Sequence, residues 1–196
     1  PLQTSFGVNM LALQGGRPVT LGLRDVIAAF LEFREEVITR RTRFDLRKAR
    51  ERAHIQEGLA VALTSVDAII ELIKRSGTPA EARAALMARA WPGDTVAAML
   101  SRVSGTAAAE ASRPDGLGPE FGLSGEGYRL SEAQAQAILD MQLQRLTGLE
   151  QDKIVEEYGE LLTAIADYLD ILARPVRITA LIREELSQVQ IGRAHV

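Results

Sequence analysis

The sequence predicts a mainly α protein: a long antiparallel coiled-coil arm with a helical globule at its tip, plus a short N-terminal β-hairpin. Three observations predict it. After Leu23 no glycine occurs until Gly58 and no proline until Pro79, and Val26, Phe30, Phe33 and Val37 follow 4-3-4 spacing within that run. Such spacing is the seam of an amphipathic helix. A second seam, Ile154, Tyr158, Leu161, Ile165, Leu169 and Leu172, has 4-3-4-4-3 spacing. The two seams also carry opposite charge. Residues 39–52 hold seven cations against two acids, and residues 150–172 hold seven acids against one lysine. Seams supply burial while flanking charges select partner and register. Each exposed pair contributes only about 0–1 kcal/mol, so the charges specify more than they stabilise.

Five segments follow in order. Residues 1–22 read as a hairpin, with β-rich runs on either side of Gly15-Gly16 and Pro18. Two strands alone bury little, so the hairpin is expected to belong to a larger sheet. Residues 23–62 form the first arm helix, about 57 Å long over 25–62 at 1.5 Å per residue. Beyond Val37 its seam is expected to turn polar. Residues 63–147 form the tip. Ser65 is a candidate cap for a helix ending at Gly77. Thr78-Pro79-Ala80-Glu81 is a capping box with Pro at the first helical position. Trp91-Pro92-Gly93 closes that helix, residues 95–103 form a short one, and residues 104–127, rich in Gly, Ala, Ser and Pro, read as a long loop. Ser131-Glu132-Ala133-Gln134 and Thr147-Gly148-Leu149-Glu150 are two further capping boxes. Residues 148–190 hold the return arm helix and a last helix from Pro175. Residues 191–196 are expected to be a non-native tail, because one back-translation of them reads as a sequencing adapter.

Composition narrows the function. The chain has 196 residues, 46% of them apolar and 25% charged, with net charge −3 and no cysteine. Disulfides and thiolate metal sites are therefore excluded. His54 and His195 are its two histidines, and neither sits in metal-ligand spacing. No apolar run approaches the roughly 18–20 residues of a membrane span, so no membrane partner is expected. Pro1-Leu2-Gln3 offers no starting Met and no signal peptide, so a cytoplasmic origin and a piece of a longer protein are expected. No Gly-rich phosphate loop occurs. His54, inside the first arm helix, reads as a packed or solvated residue and not as a base. Glu156-Glu157 and Glu184-Glu185 are adjacent on helices and do not face each other. Tyr128 is expected in a loop, Tyr158 and Tyr168 on helix faces, and Met87, Met99 and Met141 in the core.

Two surfaces remain. Ala135, Ala137, Ile138, Leu139, Met141, Leu143 and Leu146 wrap more than one face of their helix, which implies burial on two sides. Gln134, Ile138, Met141, Gln142, Arg145 and Leu146 are the candidate homodimer interface. The basic run reads first as a solvated face, second as partner to the acidic helix, and third as a DNA contact. Arg40, Arg41, Arg47 and Lys48 are the candidate DNA-facing cations.

Longer motifs carry a resemblance. Glu35-Glu36-Val37-Ile38-Thr39-Arg40-Arg41-Thr42 and Leu46 to Ile55 resemble the long arm helix of the A subunits of bacterial DNA gyrase. Val66 to Ile73 and Ala133 to Glu150 resemble the same family's exit-gate segments. The likeness covers about 1–190. The sister subunit of topoisomerase IV shares the architecture. The resemblance implies a type IIA topoisomerase, in which DNA gyrase negatively supercoils DNA by ATP-dependent double-strand passage. It implies three partners: a second copy, in a homodimer through the exit gate, double-stranded DNA, and the B subunit of gyrase. ATP and Mg are implied on the B-subunit side and in the cleavage core, with no cofactor in this segment. The family's nucleophilic tyrosine follows an arginine, whereas Tyr128, Tyr158 and Tyr168 follow Gly127, Glu157 and Asp167. No catalytic residue is carried over, and the segment alone is expected to be inactive. A nucleic-acid-binding coiled-coil arm is the alternative from another class.

Overall fold

The computed structural model describes residues 3–4, 7, 9–94, 97–98, 112–124, 127–141 and 148–193. Among them the elements run β1 (Met10–Gln14), β2 (Arg17–Leu21), α1 (Leu23–Thr64), α2 (Val66–Arg75), α3 (Pro79–Ala88), β3 (Ala90–Trp91), β4 (Gly122–Ser124), β5 (Gly127–Arg129), α4 (Glu132–Leu139), α5 (Gly148–Ala173) and α6 (Pro175–Arg193). The class is mainly α with an N-terminal hairpin, as predicted, and the 42-residue α1 suits a coiled-coil arm. The chain divides into two compact units, residues 1–43 with 171–196 and residues 44–170.

The first unit holds the hairpin. β1 and β2 pair antiparallel from Met10 opposite Leu21 to Gln14 opposite Arg17. Gly15 and Gly16 make the turn with φ of 58° and 78°. Positive φ at both central residues is what a two-residue hairpin turn of matching twist demands, and glycine adopts it without a Cβ clash. At the start of α1, Gly22 has no side chain to cap with. Asp25 Oδ2 instead accepts the Gly22 N–H at 3.3 Å. At the other end of this unit α6 begins at Pro175, where the missing N–H costs no helical bond. Arg34 and Arg41, seven residues apart on α1, both donate to Glu185 of α6, Arg41 at 2.6 Å.

The predicted aromatic seam needs correction here. Phe30 and Phe33 are 45% and 56% exposed. They line an open depression of about 600 Å³ with Ala12, Leu13 and Leu21 of the hairpin. Burial on α1 is taken over by Ile38, one position beyond the predicted Val37, and by Thr42.

In the second unit the stripe on α1 continues through Leu46, Ala49, Ala53 and Ala60, all buried. The seam does not turn polar. Its small residues carry little apolar signal but permit close helix approach. On α5, Ile154, Tyr158, Leu162 and Ile165 are buried, so Leu162 replaces the predicted Leu161. Gln56 of α1 donates to Glu157 of α5 at 2.5 Å.

The remainder of this unit surrounds Trp91, which is 1% exposed. Its indole N–H donates to Leu86 O at 2.9 Å, closing α3 onto β3. β3, β5 and β4 form an antiparallel three-stranded sheet with β5 central. The expected 104–127 loop is thus corrected: residues 122–124 are strand, 112–121 are turns, and 104–111 and 125–126 lie outside the described residues. Tyr128, expected in a loop, is a buried strand residue. Strands of two or three residues are too short for alternation to reveal.

The caps are largely as expected. Thr78 accepts from Glu81 N–H at 3.2 Å, but the Glu81 carboxylate reaches back to Gly77 N–H at 2.9 Å instead of to the cap residue itself. Ser131 and Gln134 make both halves of a capping box. Ser65 precedes α2 without a side-chain cap bond. α2 stops at Arg75, before Gly77, and the Ser76 hydroxyl bonds Leu72 O at 2.9 Å. Thr147, the cap residue of the third box, and Met99 lie outside the described residues.

Candidate interface site and its polar junction

The junction lies in the second unit and starts from Glu57 on α1. Its two carboxylate oxygens accept two tyrosine hydroxyls, Tyr128 of β5 at 2.9 Å and Tyr158 of α5 at 2.6 Å. Tyr128 OH in turn accepts from the Gln134 amide at 2.6 Å, and the same amide donates to His54 O at 2.7 Å. His54 Nε2 lies 2.7 Å from Ser131 Oγ. Four elements therefore share one network, α1, β5, α4 and α5, buried around Gln134 and half-buried at Glu57.

Glycine makes the approach of α4 feasible. A Cβ on Gly58 would lie 2.7 Å from Gln134 Cγ. Gln134 is 0% exposed and sits where a side chain at 58 would be.

Burial sets the protonation states. It pushes the Glu57 carboxyl up, against hydrogen bonds from Tyr158 and Tyr128 and the charge of Arg113, which lower it. Burial, then the Glu57 charge, raises both tyrosines, so they remain hydroxyl donors. His54 is lowered to about 4, by burial first and then by Arg113. The neutral imidazole sits between two polar neighbours, with Nδ1 3.2 Å from the Gln134 amide nitrogen and Nε2 2.7 Å from Ser131 Oγ.

Ser131 and His54 have the spacing of a nucleophile and its base, yet the arrangement suits packing and not catalysis. A catalytic histidine needs an acceptor at its second nitrogen to hold and stabilise the imidazolium. Here that nitrogen faces an amide nitrogen, which is no acceptor, and the charge acting on the ring is the Arg113 cation. Ser131 Oγ also caps α4 by accepting Gln134 N–H at 3.3 Å. His54 is a packed helix residue, as expected, with more partners than the sequence reveals.

The predicted interface residues divide. Gln134 is held inside the junction and Ile138 is 3% exposed, so neither presents its side chain to a partner. Met141 is half-buried. It lines an open apolar depression of about 110 Å³ with Ile70, Ile73, Leu139 and Val66. Gln142, Arg145 and Leu146 lie outside the described residues. The α2 contribution leaves no separate signal in the sequence, where Ile70 and Ile73 read as ordinary core.

The basic run is mainly exposed. Arg40 lies 3.6 Å from Glu36 one turn away, and Lys48 lies 2.9 Å from Glu51. Arg41 reaches Glu185 of α6, and Arg50 reaches Asp115 at 2.8 Å. These four acids all lie outside the acidic helix α5, where the charge pattern expects them. Arg47 lies over the ring of Phe44 at 5.5 Å, and Phe44 is 51% exposed. No helix among the described residues is long and apolar enough to cross a membrane.

The family model for the A subunits of DNA gyrase and topoisomerase IV matches residues 1–187. The chain belongs to this family. It is 56% identical over 189 residues to the DNA gyrase A protein of Aeromonas salmonicida, covering 96% of this chain and 20% of that protein. Identity to the gyrase A protein of Pseudomonas aeruginosa is 51% over 189 residues, 96% of this chain and 20% of that protein. For Escherichia coli it is 57% over 157 residues, 80% of this chain and 18% of that protein. The chain thus spans about a fifth of the curated relatives it matches.

Proposed function

We propose that this segment is the arm and homodimeric exit gate of a gyrase A subunit, in an assembly that negatively supercoils DNA by ATP-dependent double-strand passage. The parent protein in this reading is a type II DNA topoisomerase in the cytoplasm, working with the gyrase B subunit. ATP and Mg act on the B-subunit side and in the cleavage core. The cleaving tyrosine lies in another part of the parent protein, and this segment alone is inactive.

One observation carries the gate: half-buried Ile70, Ile73, Leu139 and Met141 converge on one open apolar depression. A two-fold mate presenting the same patch would cover it, because an isologous contact is self-complementary. A gate must also reopen, which favours a small patch of this kind over a core-like interface.

A Met141→Cys variant of the whole A subunit tests the gate. This chain has no cysteine of its own. Oxidation is expected to link the two copies and stop supercoiling, and reduction is expected to restore it. A linked assembly that still supercoils would sink the gate. The topoisomerase IV alternative is separated by product: a relaxed plasmid that never becomes negatively supercoiled would favour it.

DNA contact along the arm is the second reading, favoured by exposed Arg47 beside exposed Phe44. Replacing Arg47 and Lys48 with alanine should lower the salt slope of DNA binding by about one for each phosphate no longer neutralised. An unchanged slope would leave them as a solvated face.

A further inference from the structure

We propose that Glu57 is a positioning residue that ties the return helix α5 and the gate helix α4 to one point on α1. It rests on the exit-gate reading and adds the route by which arm movement reaches the gate.

The geometry has three parts. Tyr158 brings α5 to one oxygen of Glu57, at 2.6 Å. Tyr128 brings β5 to the other, at 2.9 Å, and passes the connection to Gln134 of α4, at 2.6 Å. The Gln134 amide then returns to α1 at His54 O, and Gly58 leaves no gap between α4 and the helix backbone. Each tyrosine reaches Glu57 through one direct hydrogen bond, and the Gln134 side chain that completes the second branch is fixed at both of its amide hydrogens.

A merely cohesive core would not need this carboxyl. Burying an ionisable group is costly, and apolar residues of similar volume often hold helices as firmly. A fully bonded polar network adds a single allowed arrangement of its members. With Glu57 held by both tyrosines, a slide of α5 along α1 must break Tyr158–Glu57 or carry Tyr128 and α4 with it. The two tyrosines come from different elements, so their branches can be cut separately.

The test uses the whole A protein in complex with its B partner. Tyr158→Phe removes one hydroxyl and keeps the ring. The expected result is a loss of about tenfold in supercoils introduced per ATP hydrolysed, within the range by which single residues alter coupling between sites. DNA cleavage and dimerisation at micromolar concentration should persist, a split that general loss of stability would not produce. Tyr128→Phe should give the same split through the other branch. Glu57→Gln keeps a carbonyl acceptor, and an amide toward which a hydroxyl can turn, and should recover most of the coupling. Either tyrosine variant that remains dimeric with wild-type coupling overturns the role of Glu57. If Tyr158→Phe fails to fold, Glu57→Leu in place of Glu57→Gln decides it: a folded dimer with full coupling overturns the role equally. The Met141→Cys link is read in the unaltered background, so failure of the gate and failure of Glu57 are separate results.

Discussion

Alanine at position 58 probes the fit between α1 and α4 directly. Its Cβ would lie 2.7 Å from Gln134 Cγ, 2.8 Å from Cβ and 3.0 Å from Cδ. On an isolated helix Gly→Ala is stabilising by about 1 kcal/mol, because the unfolded chain loses freedom. Here the gain is opposed. Gln134 cannot swing aside without releasing His54 O or Tyr128 OH. Overpacking costs about 1–3 kcal/mol, and one buried polar group left unpaired costs about 1–3 kcal/mol more. The net is a destabilisation of roughly 3 kcal/mol once the propensity gain is subtracted. Urea titration of the chain followed by Trp91 fluorescence measures it, since Trp91 is the one tryptophan, buried in the same unit. The midpoint should fall with an unchanged slope. A variant as stable as the parent, or more so, would refute the tight seating of Gln134 against α1.

Three further predictions rest on single contacts. His54 titrates near 4 in the fold against 6.5 outside it, so its contribution is fully present above about pH 6.5 and drains away as pH falls toward 4, by at most about 3 kcal/mol at 1.36 kcal/mol per unit. Glu57 has the opposite sign: its raised acid favours the fold at low pH and loses that contribution as pH rises through its folded value, while Tyr128 and Tyr158 stay protonated. Urea midpoints across that window should slope less in His54→Gln, and an identical slope would exclude His54 as the source. Glu185→Gln leaves Arg34, whose Nε is already buried without a partner, and Arg41 without their carboxylate. A loss of about 1 kcal/mol is expected at low salt and less at high salt, and thermal midpoints at the two salt levels decide it. Gly127→Ala meets φ of +125° and the Trp91 carbonyl oxygen 2.5 Å from the new Cβ. A loss of about 1–3 kcal/mol from backbone strain is expected, with a shift in Trp91 emission as β3 separates from β5, and unaltered emission and midpoint would count against it.

Legibility tracks the length of the signal. The 42-residue α1 is readable because its run without proline continues far past any ordinary helix end. The hairpin and the Ser131 box are readable because their residue types act locally. The heptad phase is harder: Phe30 and Phe33 outweigh Ala49 and Ala53 in any apolar pattern, yet the alanines are buried and the phenylalanines are exposed. Periodicity ranks side chains by size, whereas helix contact selects those that fit between backbones. Glu57, Tyr128 and Gln134 leave no signal as a group, because 71 and 77 residues of chain separate Glu57 from the other two in an order only the fold reveals.

Four cations of the basic run reach acids outside the acidic helix, and the reason bears on the arm's surface. A heptad argument assumes that cations on one helix answer acids on its partner. Exposed pairs contribute too little to enforce that, so local geometry decides. Arg40 and Lys48 find acids one turn away on their own helix, and Arg50 finds Asp115 in a turn. Arg47 and Arg52 stay exposed on α1 while α5 keeps Asp152, Glu156 and Glu160 exposed. These exposed charges give the two helices surface fields of opposite sign. A polyanion passing the arm would meet attraction along α1 and repulsion along α5, and in the proposed DNA-contact reading this charge would set which helix DNA approaches. Reversing Asp152 and Glu156 to lysine discriminates the two paths. DNA affinity at low salt should rise by more than the Arg47 replacement lowers it only if α5 also faces the DNA, and an unchanged affinity would confine the path to α1.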